Sequence, residues 1–303
     1  MKMGRRCKDS AGFTIVEVMI VLAVSGFMFV AAVLLINGRQ GRTEFITAIN
    51  SLQQELQQTI NETSSGFFPD NGNIQCTGNA AGVVKLNTAT STQGQNAGCL
   101  FLGKALQFGL GSADPAPSQI SVLTLVGNQY QSDGSSSVLT LAQALPRAIY
   151  PANAAETIAP TNVPKASLTL TMENGLSVAA SSSVCGTGLG GMCYIVGGSP
   201  VQTGIMAFVA GDSSGNITAS DTSGGLKPGT EQYSLYGVSG AVKNEGPDVA
   251  TQKIGNAAGN LTGLVSASSV SICIASATNN QSGLITIDAG LHVDLQLKSG
   301  VTC

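Results

Sequence analysis

Gly12-Phe13-Thr14-Ile15-Val16-Glu17-Val18-Met19-Ile20-Val21-Leu22-Ala23-Val24 opens an apolar run that continues to Ile36 and carries a single charged residue, Glu17. Lys2, Arg5, Arg6 and Lys8 precede it, against Asp9. A basic flank followed by an apolar stretch is a membrane-targeting pattern, and the flank stays in the cytoplasm. The run is about 24 residues, and at about 1.5 Å per residue a helix of that length crosses a hydrocarbon core of about 30 Å. It exceeds the apolar region of an ordinary secretory signal. The pattern therefore predicts a spanning helix, with everything after Ile36 on the far side of the membrane.

Glu17 is the anomaly in that helix. A carboxylate inside a bilayer costs at least about 2.5 kcal/mol unless it finds a partner or takes up a proton, so such a residue is read as functional by default. The plain alternative is a carboxylate at the bilayer edge that reaches back to water. Its neighbours weigh against that alternative.

Gly12-Phe13-Thr14-Ile15-Val16-Glu17-Val18 resembles the processing site of type IV prepilins: a Gly, a cleavage point, an often N-methylated Phe, and Glu at the fifth mature position. The resemblance implies a leader over residues 1–12 and a cut between Gly12 and Phe13 by a membrane prepilin peptidase, followed by N-methylation of Phe13. It further implies that Phe13, Thr14 and Glu17 serve subunit assembly. The partners it implies are other pilin subunits, the peptidase and an assembly platform in the membrane. The physical logic agrees: cleavage creates a positive amine at Phe13, and Glu17 of one subunit can neutralise the amine of the next. Pairing the two charges offsets the desolvation of each and fixes axial register between helices.

Rival targeting signals fit poorly. Cys7-Lys8-Asp9 lacks the apolar residues expected after a twin-arginine pair, and Cys7 lacks the apolar lipobox of a lipoprotein. A simple anchor for a binding protein that never polymerises remains the alternative from another class. Such an anchor needs neither the Gly-Phe junction nor Glu17.

Past the apolar run, Phe45, Ile46, Ile49, Leu52, Leu56 and Ile60 recur at three- and four-residue steps among Gln, Asn, Thr and Glu. Residues 13–62 are thus expected to form one helix, transmembrane or filament core over 13–36 and amphipathic over 37–62, about 75 Å long at about 1.5 Å per residue. Gly26, Gly38 and Gly41 are where bending or local melting is expected.

Residues 63–303 carry short β-rich runs between Gly, Asn, Ser and Pro. Expected strands are 99–108, 120–126, 137–141, 167–172, 205–210 and 270–275. A hairpin pairs 284–287 with 291–297 around Asp288-Ala289-Gly290. The fold class is α+β: a long amino-terminal helix packed on a mostly antiparallel, β-rich, pilin-like extracytoplasmic head. Long Gly-, Ser- and Pro-rich loops and a large head tilt the reading toward a minor or adhesive pilin rather than the major one.

Cys76, Cys99, Cys185, Cys193, Cys273 and Cys303 all follow the apolar run. An exported setting makes disulfides the default, and the sequential reading is Cys76 with Cys99, Cys185 with Cys193, and Cys273 with Cys303. Resembling pilins often carry a carboxy-terminal disulfide loop, which matches the last pair. None of the six sits in a Cys-x-x-Cys pair and His292 is the only histidine, so no zinc site is expected. Asp212 and Asp221 are calcium candidates in a head loop, and a self-satisfied turn is the preferred reading there because the EF-hand order is absent. No cofactor is expected.

His292 and Asp294 share a face of the last strand in this reading, but no Gly-x-Ser-x-Gly elbow supplies a nucleophile, so the chain is not expected to be an enzyme. Net charge is −3 and Arg147 is the only arginine from residue 63 onward, which argues against nucleic-acid binding. The expectation is a pilus subunit, held singly across the cytoplasmic membrane before assembly and displayed on a cell-surface pilus afterwards. The alternative within the family is a pseudopilin of a secretion or competence system in a periplasmic pseudopilus.

Overall fold

The computed structural model describes residues 14–64, 74–78, 84–88, 99–109, 118–128, 138–149, 167–179, 191–211, 217, 233–238, 264–276, 278, 280–300 and 303. The chain divides into two compact units at the Glu44/Phe45 junction. Helix α1 (Ile15–Ser64) belongs to both. It runs unbroken through Gly26, Gly38 and Gly41, where each glycine weakens a helix by only about 1 kcal/mol relative to Ala.

In the first unit, Ile15–Val33 is long and apolar enough to cross a membrane, with mean hydropathy 2.4 and none of it buried. Side chains such as Ile15, Met19, Leu22, Phe27 and Phe29 are exposed. A helix apolar all round has no solvated face, so lipid or other helices are its natural surroundings.

The second unit is β-rich. A hairpin of β1 (Ile74–Gly78) and β2 (Val84–Thr88) is followed by β3 (Cys99–Phe108), β4 (Gln119–Asn128), the short helix α2 (Leu141–Ala144), β5 (Arg147–Ile149), β6 (Ser167–Thr171), β7 (Leu176–Val178), β8 (Met192–Val196) and β9 (Ser199–Thr203). Then come β10 (Ile205–Ala210), β11 (Tyr233–Val238), β12 (Leu264–Ser266), β13 (Ser269–Ser276), β14 (Gln281–Asp288) and β15 (Val293–Ser299). A seven-stranded sheet runs β12-β11-β10-β3-β4-β5, with β6 also on β4. A six-stranded sheet runs β15-β14-β13-β8-β9, with β7 also on β13. Every described pairing is antiparallel.

One core joins α1 to both sheets. Phe45, Ile49, Leu52, Leu56 and Ile60 pack with Leu106, Phe108, Ile120 and Phe208 of the larger sheet and with Val270, Ile272, Ile274, Ile285 and Ile287 of the smaller one. The three- and four-residue spacing of the helix stripe turns these side chains to one side. At Gly283 the helix packs tightly on the smaller sheet: a Cβ there would lie 2.3 Å from Ile49 Cδ1. The larger sheet is buried on its other face too, where Leu102, Leu123, Leu125, Ala207 and Val209 meet Val138, Leu141 and Ala144 around α2. Strands covered on both sides read as continuous apolar runs, which is why Ile205–Ala210 has no polar alternation.

Besides the absence of melting at the α1 glycines, two details differ from the sequence reading. Residues 138–144 give no strand. Thr140 caps α2 in a capping box with Gln143, and Leu145 ends it in the left-handed conformation. The Thr-x-x-Gln spacing outweighs the β-forming residues around it. The last hairpin pairs Ile287 with Val293, so His292 lies in the turn, where its N–H donates to Asp288 Oδ1 at 3.0 Å. His292 and Asp294 therefore do not share a strand face.

Candidate assembly site

Gly12 and Phe13 lie outside the described residues. Thr14 is the first residue described, and it caps α1. Its N–H and its Oγ–H both donate to Glu17 Oε2 at 3.0 Å, while the Glu17 N–H donates back to Thr14 Oγ at 3.3 Å. This is a reciprocal capping box, which satisfies amide groups that the first helical turn leaves without intrahelical partners. Its signature, Thr14-x-x-Glu17, stands in the sequence, and reading Glu17 only as an intermolecular partner misses it. The cap fixes where the helix starts and holds the Glu17 carboxylate against the Thr14 amide and hydroxyl.

In the second unit, polar side chains seat α1 on the head at its margins. Gln53 Nε2 donates to Val293 O at 2.8 Å, Gln57 Nε2 donates to Leu291 O at 3.4 Å, and the Val293 N–H donates to Gln57 Oε1 at 3.3 Å. One glutamine side chain thus offers β15 both the acceptor and the donor that a neighbouring strand would. Near the end of the helix, Lys104 Nζ donates to Glu62 Oε2. The hydrogen bond from Lys104, aided by one from Gln58, holds the Glu62 carboxyl below its ordinary range. Burial, and then the Glu173 carboxylate, push Glu55 up. Apart from the Gln58–Glu62 bond within α1, these contacts join residues far apart in sequence, and no local motif announces them.

Of the cysteines, Cys273 and Cys303 are bridged. Cys193 is disulfide-bonded as well. Cys185, and the side chains of Cys76 and Cys99, lie outside the described residues, as do Asp212 and Asp221. Val270, Ile272 and Ile274 point into the core, so Cys273, between the last two, faces the other way, and Cys193 pairs with Ser271 on that same face. Both half-cystines thus lie on the outer face of the six-stranded sheet. Among the described residues no three His, Cys, Asp or Glu side chains gather in a metal-binding group.

Neither the curated proteins nor the solved structures compared with the chain give a match. Residues 7–33 match the family model of the prokaryotic N-terminal methylation motif. The chain carries the prepilin-type cleavage and methylation motif at residues 7–33, and this motif supports a protein of type IV pilin or pseudopilin class.

Proposed function

We propose that the protein is a structural, non-catalytic subunit of a type IV pilus, a minor or adhesive pilin rather than the major one. Prepilin peptidase cuts between Gly12 and Phe13, Phe13 is N-methylated, and the assembly platform in the membrane adds the subunit to a filament of pilins. The observation that carries this reading is the methylation motif over residues 7–33, set on a helix whose spanning stretch is exposed on every side. Such a surface needs partners, and in a filament the corresponding helices of other subunits cover it. Glu17 then neutralises the Phe13 amine of a neighbour, which removes the penalty of two unpaired charges in an apolar core. The β-rich unit from Phe45 onward decorates the filament, and its size supports a binding role. Before assembly the chain sits across the cytoplasmic membrane; afterwards it lies on the cell surface.

The test is the amino-terminal sequence and mass of the protein recovered from sheared surface filaments, compared with a Glu17→Ala strain. A start at Phe13, carrying a methyl group, together with loss of filament incorporation in the variant, is the expected result. An intact Met1 start in the membrane fraction, indifferent to the substitution, overturns the proposal and favours an anchored binding protein.

A further inference from the structure

Among the described residues β15 is an edge strand of the six-stranded sheet, paired with β14 alone. In an antiparallel ladder, alternate residues turn their backbone groups toward one neighbour and then the other. The Asp288 N–H donates to His292 O and the Gly300 N–H donates to Asn280 O, so even-numbered residues bond toward β14. The odd-numbered ones, Val293, Leu295, Leu297 and Ser299, present their N–H and C=O to the open side. Gln53 and Gln57 occupy those of Val293. Those of Leu295, Leu297 and Ser299 meet no other described strand and form an edge that another strand can extend.

The side chains along this edge are self-complementary. The order is Asp294-Leu295-Gln296-Leu297-Lys298. Laid antiparallel on a second copy about Gln296, the strand sets Asp294 opposite Lys298 and Lys298 opposite Asp294. Leu295 falls opposite Leu297, and those two positions are the ones whose backbone groups face outward, so charge register and hydrogen-bond register coincide. Asp294, Gln296 and Lys298 are exposed. Leu297 is 49% exposed, one of few large apolar side chains so exposed among the described residues of the second unit. A paired strand would cover it.

We propose that the free edge of β15 is a self-pairing surface, on which a second copy of this chain docks antiparallel about Gln296 and joins the two six-stranded sheets. Opposite charges placed directly across an antiparallel pair favour that register and penalise slipped ones. The proposal does not rest on polymerisation through the amino-terminal helix.

The test uses the full chain in its membrane. Gln296→Cys places two thiols opposite each other at the centre of the pair, and mild oxidation should give a dimer whose linkage maps to position 296 in both copies. Adding Lys298→Asp sets Asp against Asp twice and should lower the dimer yield on the order of tenfold. Adding Asp294→Lys as well exchanges the two charges and should restore it. Mapping the Cys273–Cys303 linkage in each variant shows that the fold is kept. Absence of the 296-linked dimer in the folded Gln296→Cys protein, or a yield indifferent to both charge changes, overturns the proposal.

Discussion

Lys104 Nζ on β3 lies 2.6 Å from Glu62 Oε2 near the end of α1, with the lysine side chain 10% exposed and the glutamate 35%. The lysine is the more deeply buried partner, so the pair chiefly keeps a buried ammonium from being left without an anion. Glu62 has a folded pKa below its ordinary value because Lys104 donates to it. A depressed carboxyl contributes stability above its unfolded pKa, and that contribution is lost as pH falls through the folded pKa. Glu62→Gln should therefore destabilise the second unit near pH 7 by about 1–2 kcal/mol, a figure discounted for the solvent around Glu62. The difference from the parent should shrink in acid below the usual glutamate range. Urea unfolding followed across pH checks both; a gap that persists unchanged in acid would contradict the assignment.

Gln57 stands in for a strand at the start of β15, taking the Val293 N–H and donating to Leu291 O. Gln57→Ala should leave those backbone groups to water and cost about 1 kcal/mol. The effect should be local. Hydrogen exchange at Val293 is the readout, and it should speed up well before exchange in β13 or β14 changes.

Gly103 sits at a register shift in β3 between Phe101 and Gly103, with φ of +145°. A Cβ there would lie 1.9 Å from the Phe208 backbone oxygen on β10. Backbone cannot yield as a flexible side chain can. Gly103→Ala must open the β3–β10 contact or distort the strand, with a combined penalty of about 3–5 kcal/mol from overpacking and an unfavourable φ. The expected outcome is protease sensitivity and low recovery. Gly26→Ala on α1, where a Cβ meets nothing within 4 Å, is the matched control and should be tolerated.

Much of this fold is legible wherever one physical signal dominates. The apolar run with a basic flank and the stripe from Phe45 to Ile60 specify α1, and Ile205–Ala210 and the β14–β15 hairpin follow from apolar pattern and turn residues. The short strands are not legible in the same way. Ser199-Pro200-Val201-Gln202-Thr203 becomes β9 only because β8 lies beside it, and Pro200 alone would demote the segment. The assembly end is readable as Gly-Phe-x-x-x-Glu, and its capping box as Thr14-x-x-Glu17. The seating of α1 on the head is not: Gln53 and Gln57 read simply as a polar helix face, yet their partners lie 240 and 236 residues away. Such contacts exist only once the sheets have formed.

The Cys273–Cys303 bridge joins the centre of β13 to Cys303 across a separation of 30 residues. Between them lie β14 and β15, so the bridge encloses the hairpin whose second strand is an edge. Closing a loop of that length restricts the unfolded chain, and the chain-entropy argument gives about 3–4 kcal/mol. The bridge also covers the outer face of the sheet, where Cys273 is fully buried. Lys298 Nζ donates to Cys303 O at 3.4 Å, which ties β15 to the same point. Replacing both residues, Cys273→Ser with Cys303→Ser, should lower the urea midpoint by the equivalent of at least about 3 kcal/mol, since the buried serine adds its own penalty to the lost constraint. Cys273→Ala with Cys303→Ala removes the hydroxyl and isolates the constraint, so the alanine pair should lie above the serine pair yet below the bridged protein. An alanine pair as stable as the bridged protein would show that packing of the hairpin, not the covalent link, holds the edge of the sheet.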